Sequence, residues 1–394
     1  MNALKQILAV TSMNLRSVPR RLGASSVIVI GIAGVVGVLV SILAMVAGLS
    51  QMMRSTGHTD RAIVMAAGAS FEFVSNLSRE AAQAIEDAQG IRRGVDGKPI
   101  ASAEALVVIR MPLRQSGNSG NLPLRGVSQA AFALRPEIHL IEGRIFKPAV
   151  RELIVGRTAR HQFRGLDVGS RVSIRGSDWT VVGVFESGGD EHETGMITDA
   201  YTLQSAFQRN SFQSVAVLLD SAQSFMDFKA SLARNPSLAV DVMRESDYYA
   251  RQTQEFTQVL SIVAYLVGGI MAIGAMFGAL NAMYSAVGSR TVEIATLRVL
   301  GFEAGAVIVS VFAEALVLAV LGGLVGGGVA WLLFNGNVVS TNGGGVTQLA
   351  VPLAVDWHLV AVGIAWACII GMLGASFPAI RAVRIPLASA LRGT

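Results

Sequence analysis

Thiol chemistry is nearly absent from this 394-residue chain, which has one cysteine, Cys368. No intrachain disulfide can form, so any globular part must be held by its apolar core. Charge is scarce too. Asp, Glu, Lys and Arg make up 15% of residues against 52% hydrophobic, too apolar a balance for an ordinary soluble domain. The phosphate-cradling pattern G-x-x-x-x-G-K-[ST] does not occur, which excludes ATP binding by that mechanism. H-E-x-x-H and a nucleophile elbow are also missing, and His58, His139, His161, His192 and His358 are scattered.

What the chain does have is apolar length. Residues 24–50, 256–289 and 357–380 carry no charge, and residues 304–334 carry only Glu314. Each run exceeds the roughly 20 residues that cross about 30 Å of hydrocarbon. Four transmembrane helices are expected, at 24–50, 256–288, 304–334 and 357–380. The first is long for a signal-peptide core, and Gly48-Leu49-Ser50 is a poor cleavage site, so it reads as a retained span.

Between the first two spans, residues 51–255 hold 23 Lys/Arg and 23 Asp/Glu, an ordinary globular composition. All nine other basic residues fall on one side: Lys5, Arg16, Arg20, Arg21, Arg290, Arg298, Arg381, Arg384 and Arg392. The positive-inside rule makes that side cytoplasmic. Residues 1–23, 289–303 and 381–394 are then cytoplasmic, while 51–255 and the loop 335–356 are outside. The pI of about 9.7 is a signal of topology, and a nucleic-acid partner is rejected.

Residues 1–23 read as an interfacial helix with an apolar stripe of Leu4, Ile7, Leu8, Thr11, Leu15 and Val18. The large segment alternates strand and helix signals, with strands at 62–67, 105–111, 122–127, 214–219 and 240–244, and helices at 77–88 and 225–235. Three short strands at 152–155, 171–174 and 179–185 suggest a small β subdomain. The fold class is therefore an integral membrane α-helical protein carrying an extracytoplasmic α/β domain with a small β subdomain.

Four features single themselves out. "GGDEHETG" places Asp190, Glu191, His192 and Glu193 between glycines, but consecutive residues rarely converge on one ion, and a solvated hairpin tip is expected. Glu314 is costly inside a span. No charged partner stands in the other spans, so a structural or dimer-interface role near the cytoplasmic half is expected. Gly274 and Gly278, and Gly322 and Gly326, have small-xxx-small spacing suited to close helix packing. Pro378 reads as a span end. Finally, "SRTVEIATLRVLGF" (289–302) puts Val292, Ala295, Thr296, Val299 and Leu300 at helical spacing, with Arg290, Glu293 and Arg298 on other faces. Gly301 closes it as a helix-terminating glycine. Such a short amphipathic helix between two spans should be touched by something outside the bilayer.

The same residues carry a resemblance. "RTVEIATLRVLGF" (290–302), "FAEALVLAVLGGLVGGGVA" (312–330) and "FPAIRAVRIPLASALRG" (377–393) are similar to the FtsX-like permease family of ABC transporters, with Val299 where alanine is common. "RELIVG", "GLDVGSRVSIRGSDWTVVGVF" and "ESDYYARQTQ" resemble the periplasmic domain of MacB-like members. The resemblance implies a type VII ABC system in the bacterial inner membrane. This chain would dimerise with a second permease copy and work with two separate ATPase subunits, which bind ATP and Mg while this chain holds no cofactor. It implies that Arg290, Glu293, Leu297, Arg298, Leu300 and Gly301 form a coupling helix docked on the ATPase. ATP-driven closure is relayed to the periplasmic domain, with a membrane-fusion adaptor and an outer-membrane channel as further possible partners. Export, extraction from the outer leaflet and lipoprotein release are open. So are two other classes, an ion-coupled carrier and a membrane-anchored sensor or enzyme.

Overall fold

The structure is a computed structural model in which residues 3–17, 22–114, 117–335, 338–343 and 347–384 are described. Arg20 and Arg21, and the tail with Arg392, lie outside the described residues. Helices α1 (Ala3–Ser17) and α2 (Leu22–Thr56) lead into a mixed region. It runs β1 (Arg61–Ala66), α3 (Arg79–Glu86), β2 (Ala101–Pro112), β3 (Ser119–Val127), α4 (Ala131–Leu134), β4 (His139–Gly143) and β5 (Glu152–Gly156). It continues as α5 (Arg157–Gln162), β6 (Arg171–Ile174), β7 (Ser177–Glu186), β8 (Met196–Asp199) and α6 (Ala200–Phe207). β9 (Ser214–Leu218), α7 (Phe225–Ala233) and β10 (Val240–Arg244) complete it. Then come α8 (Glu245–Gly288), α9 (Thr291–Val299), α10 (Ala304–Phe334), β11 (Val338–Gly343), β12 (Thr347–Pro352) and α11 (Trp357–Arg384).

Contacts divide the chain into two units. The first comprises Met1–Ala47, Gln258–Asn337 and Leu353–Thr394; the second comprises Gly48–Thr257 and Val338–Pro352. Among the described residues four helices, α2, α8, α10 and α11, are long and apolar enough to cross a membrane. α2 and α8 contribute residues to both units, so they overrun the expected 24–50 and 256–288. α11 continues through Pro378 to Arg384. That proline lies buried inside the helix and does not end it.

The first unit is packed through small residues. A Cβ on Gly322 would sit 3.0 Å from Ile32 Cβ of α2, and Gly326 lies against the Ala33 backbone. Gly323 and Gly327 bring α10 equally close to Ile364 and Val360 of α11. Gly274 and Gly278 of α8 have nothing within 4 Å. α1 buries Gln6, Val10 and Asn14, spaced four apart on one helix face. The Gln6 side chain accepts from the Glu303 N–H at 3.1 Å, and Asn14 Nδ2 donates to Ser310 Oγ at 2.8 Å. The expected apolar stripe is not the packed one: Leu8 is 62% exposed. The packed face joins two hydrogen-bonding side chains to one apolar one, Val10, while Leu8 and Met13 stand outward, as suits a helix lying in a membrane interface.

The second unit is built on one ten-stranded sheet of order β10-β1-β9-β2-β3-β8-β5-β7-β4, with β6 paired to β7. β1 and β9 are buried almost throughout, because helices cover both faces at this end and continuous apolar runs follow. Ser78 caps α3 by accepting from the Ala81 N–H, and Asp199 caps α6 through the Thr202 N–H. The twelve-residue β2 belongs to two cores. Its first half packs with β1, β9, α3 and α7, and its second with β3, β5–β8, α5 and α6. The β-rich part thus has its own core but shares the sheet. Residues of the expected loop 335–356 form the antiparallel pair β11–β12.

Candidate functional site

α9 is held at its first turn by an ion pair. Arg290, the residue before the helix, points its guanidinium at Glu314 of α10, Nη2 donating to Oε2, while Nε donates to the Ala286 carbonyl at 3.4 Å. The two side chains are 4% and 3% exposed. No other span offers Glu314 a charge, and its partner comes from the connection between spans. Arg290, expected on the docking face, is spent inward, because a buried carboxylate requires a compensating charge.

The rest of α9 follows from that anchor. Ile294 and Ala295 are buried, and Leu297 and Arg298 are half-buried, with Arg298 Nη1 reaching the Val383 carbonyl at 3.5 Å. Glu293 is exposed in the first turn. There its charge complements the helix dipole. Val292, Val299 and Leu300 are 54%, 60% and 71% exposed. The expected single apolar stripe is therefore split, with Ala295 inward and three larger apolar side chains outward. Gly301 has φ of +90°, a conformation that favours glycine and lets the chain turn into α10.

The α/β domain holds a second concentration of charge, which the sequence reading missed. Arg125 grips Glu72 through two hydrogen bonds of 3.0 and 2.9 Å and Glu104 through one of 2.7 Å. Glu104 also accepts from Arg135 at 2.5 Å. Arg135 lies 3.7 Å from Glu245, the first residue of α8, and Glu245 lies 3.6 Å from Arg61, which pairs with Glu137 at 2.5 Å. Ser214 donates to Glu72 at 2.6 Å. Six of the seven charged groups are buried, and Glu137 is partly so. Burial alone would raise the Glu72 carboxyl, but the Arg125 charge and hydrogen bonds outweigh it and lower the pKa to about 2. For Glu104, burial is likewise overcome by Arg135 and Arg125, and its pKa is lowered. The available sequence signal was Glu104, an acid inside the apolar run "ASAEALVVI".

The "GGDEHETG" segment is also not a solvated tip. Asp190, His192, Glu193 and Thr194 are buried. Glu193 accepts from the Ser187 and Gly189 N–H groups at 2.9 and 2.8 Å and from Thr158 Oγ1 at 2.9 Å. Its carboxylate closes the turn, with Arg157 at 3.2 Å. Asp190 Oδ2 lies 3.2 Å from His192 Nδ1. Among the described residues no group of His, Cys, Asp and Glu is arranged to hold a metal ion.

Comparison with known proteins bears on both units. The family profile described as the MacB-like periplasmic core domain matches residues 25–235, and that described as FtsX-like permease C-terminal matches residues 265–387. The uncharacterized ABC transporter permease YknZ of Bacillus subtilis is 25% identical over 244 residues, 57% of each chain. The macrolide export ATP-binding/permease protein MacB of Sodalis glossinidius is 24% identical over 300 residues, 71% of this chain and 45% of that one. This chain thus spans about half the length of these two relatives. The lipoprotein-releasing system transmembrane protein LolC of Xylella fastidiosa is 25% identical over 397 residues, 92% of each chain. Among solved structures, the extracellular domain of YknZ aligns with a TM-score of 0.35 at 16% identity, over 46% of this chain and 99% of that one. The periplasmic region of MacB from Actinobacillus actinomycetemcomitans aligns with a TM-score of 0.38 at 14% identity, over 52% and 97%.

Proposed function

Because the chain belongs to the MacB-like and FtsX-like family of ABC transporter permeases, we propose that it is the transmembrane subunit through which a separate ATPase drives its α/β domain. ATP and Mg are bound by that partner, in two copies, and this chain pairs with a second permease copy. It sits in a bacterial inner membrane with both termini cytoplasmic and the α/β domain periplasmic, where an adaptor and an outer-membrane channel can join it. The observation that carries the reading is α9: Val292, Val299 and Leu300 stand outward beside Glu293, on a helix fixed at its base by Arg290 and Glu314. Exposed apolar groups next to a charge suit a protein partner. α2 and α8 each run through residues of both units, so movement of their ends can be relayed along continuous helix.

The test is co-purification with the ATPase in mild detergent. Leu300→Asp and Val299→Asp are expected to release it while span insertion persists, and Glu293→Ala to lower coupled ATPase activity. A stoichiometric, fully active ATPase on all three variants would remove α9 as the coupling element. A lipoprotein-releasing role is a second reading, favoured by the Xylella relative, which matches over 92% of both chains. Release of a lipoprotein from spheroplasts, against export of a soluble compound, separates the two.

A further inference from the structure

One edge of the large sheet is open. The strand order ends at β10, and among the described residues nothing pairs with its far side. The register fixes which backbone groups face outward. Ala67 N–H donates to the Ala239 carbonyl at 2.9 Å. Every second pair along this antiparallel ladder is therefore of the hydrogen-bonded kind, namely Met65–Asp241 and Ile63–Met243. Val240 and Val242 turn their N–H and C=O groups away from β1. A bare row of this sort is a template for another strand.

The edge lies in a built groove. A cavity of about 710 Å³ wraps around β10. On one face its wall is α7 and the turn before β10, with Phe225, Leu232 and Leu238; on the other it is the start of α8, with Asp247, Tyr248, Arg251 and Gln252. The two faces are distinct because Val240 and Val242 belong to the core under α7, while Met243 packs with Tyr248. The first wall is mainly apolar and the second mainly polar. Lys229 stands exposed at the α7 rim, without an ion-pair partner among the described residues.

We propose that this groove takes an extended peptide segment of a partner protein by strand addition to β10. Alternate side chains of an added strand point to opposite faces. The segment that fits has apolar residues at every second position, facing α7, with an acidic residue in place of one of them at the Lys229 rim, and uncharged polar residues between them, facing α8, where Asp241 and Asp247 already stand. At about 3.3 Å per residue, the five residues of β10 offer about 17 Å of edge. The site is separate from α9, and its test needs no nucleotide, so it stands or falls apart from the coupling reading.

The experiment uses the purified full chain and a fluorescent synthetic peptide that alternates valine with serine and carries one aspartate in place of a terminal valine, on the face that meets α7. Anisotropy is expected to rise saturably, and hydrogen exchange to slow at the Val240 and Val242 amides. N-methylation of one alternate set of peptide nitrogens should weaken binding about tenfold or more, and methylation of the other set should leave it unchanged. Val240→Pro deletes an outward N–H without touching the ladder to β1, and Ala233→Trp fills the groove from an exposed position. Each should weaken binding about tenfold, with retained slow exchange at Asp241 and Met243 certifying the fold. No saturable binding, equal loss from either methylated set, or protection at another segment would overturn the proposal. So would a disulfide between two copies of a Val240→Cys, Cys368→Ser chain, which would assign the edge to self-association.

Discussion

In the first unit one carboxylate, Glu314, meets one guanidinium, Arg290, among packed apolar helices. In the α/β domain four carboxylates and three guanidiniums form a chain from Glu137 through Arg61, Glu245, Arg135, Glu104 and Arg125 to Glu72. Both arrangements bury charge, but they differ in what remains when one member is lost. Glu314 has a single charged partner among the described residues. Within the chain, Glu104 and Glu245 each lie between two arginines, so a carboxylate there keeps a counter-charge when one arginine is removed. The lone pair acts as a latch, and the series spreads the cost over several groups.

Cutting both arrangements in the same way sharpens that difference. Arg290→Met leaves Glu314 buried without its counter-charge, which is expected to cost about 3–5 kcal/mol and to free the start of α9. Arg61→Met leaves Glu245 beside Arg135 and Glu137 partly in water, and the loss should be nearer the about 1.5–3 kcal/mol of a charged hydrogen bond. Thermal unfolding of the full chain in detergent reads both values. The double change Arg290→Met with Glu314→Leu should recover most of the loss, since apolar replacement of a buried pair is often neutral or better. If Arg61→Met proves the more damaging, the latch and the series have been assigned the wrong way round.

Acid addresses the second arrangement. The folded-state pKa of Glu72, about 2, lies below its ordinary 4.5. Its contribution is therefore fully present above pH 4.5 and is lost as pH falls toward about 2. The gap corresponds to on the order of 3 kcal/mol. Unfolding of the α/β domain, followed by proteolysis or melting, should become easier across that window, and the Glu72→Gln chain should lose that part of the pH dependence. An unchanged slope in the variant would mean that Arg125 does not hold Glu72 ionised.

Much of this was legible along the chain, and the limit has a physical form. A helix, α10, covers the apolar run 304–334 despite its one charge, Glu314, and β6 and β10 lie where extended patterns and turns put them, because these features depend on neighbours in sequence. Which polar group goes inward does not. Arg290 and Glu314 are 24 residues apart and Arg125 and Glu72 are 53 apart, and no periodicity links them. "GGDEHETG" reads as a wet loop by composition, yet Glu193 is drawn inside by the N–H groups of Ser187 and Gly189. α1 is the sharpest case. An apolar stripe was legible, but the hydrogen bonds that Gln6 accepts and Asn14 donates fall on the side that packs.

The two glycine pairs give the smallest expected effect and the finest comparison within the first unit. Both have small-xxx-small spacing, but their surroundings differ. A methyl group on Gly322 would come within 3.0 Å of Ile32 and of the Val29 carbonyl, contacts tight enough that α10 or α2 must shift. Such overpacking typically costs about 1–3 kcal/mol. At Gly274 the added methyl meets nothing within 4 Å, and alanine favours helix over glycine by up to about 1 kcal/mol. Gly322→Ala should lower the melting temperature of the monomeric chain in detergent, while Gly274→Ala should leave it unchanged or raise it slightly. The Gly274 result gains meaning from a second measurement, cross-linking of two copies in native membrane. If Gly274→Ala is silent in the monomer but reduces cross-linking, the open face of α8 is packed by another helix in the assembly, and its glycines serve between chains as Gly322 and Gly326 serve within one. If cross-linking is also unchanged, that face meets lipid, and its spacing reflects only how common glycine is in membrane helices.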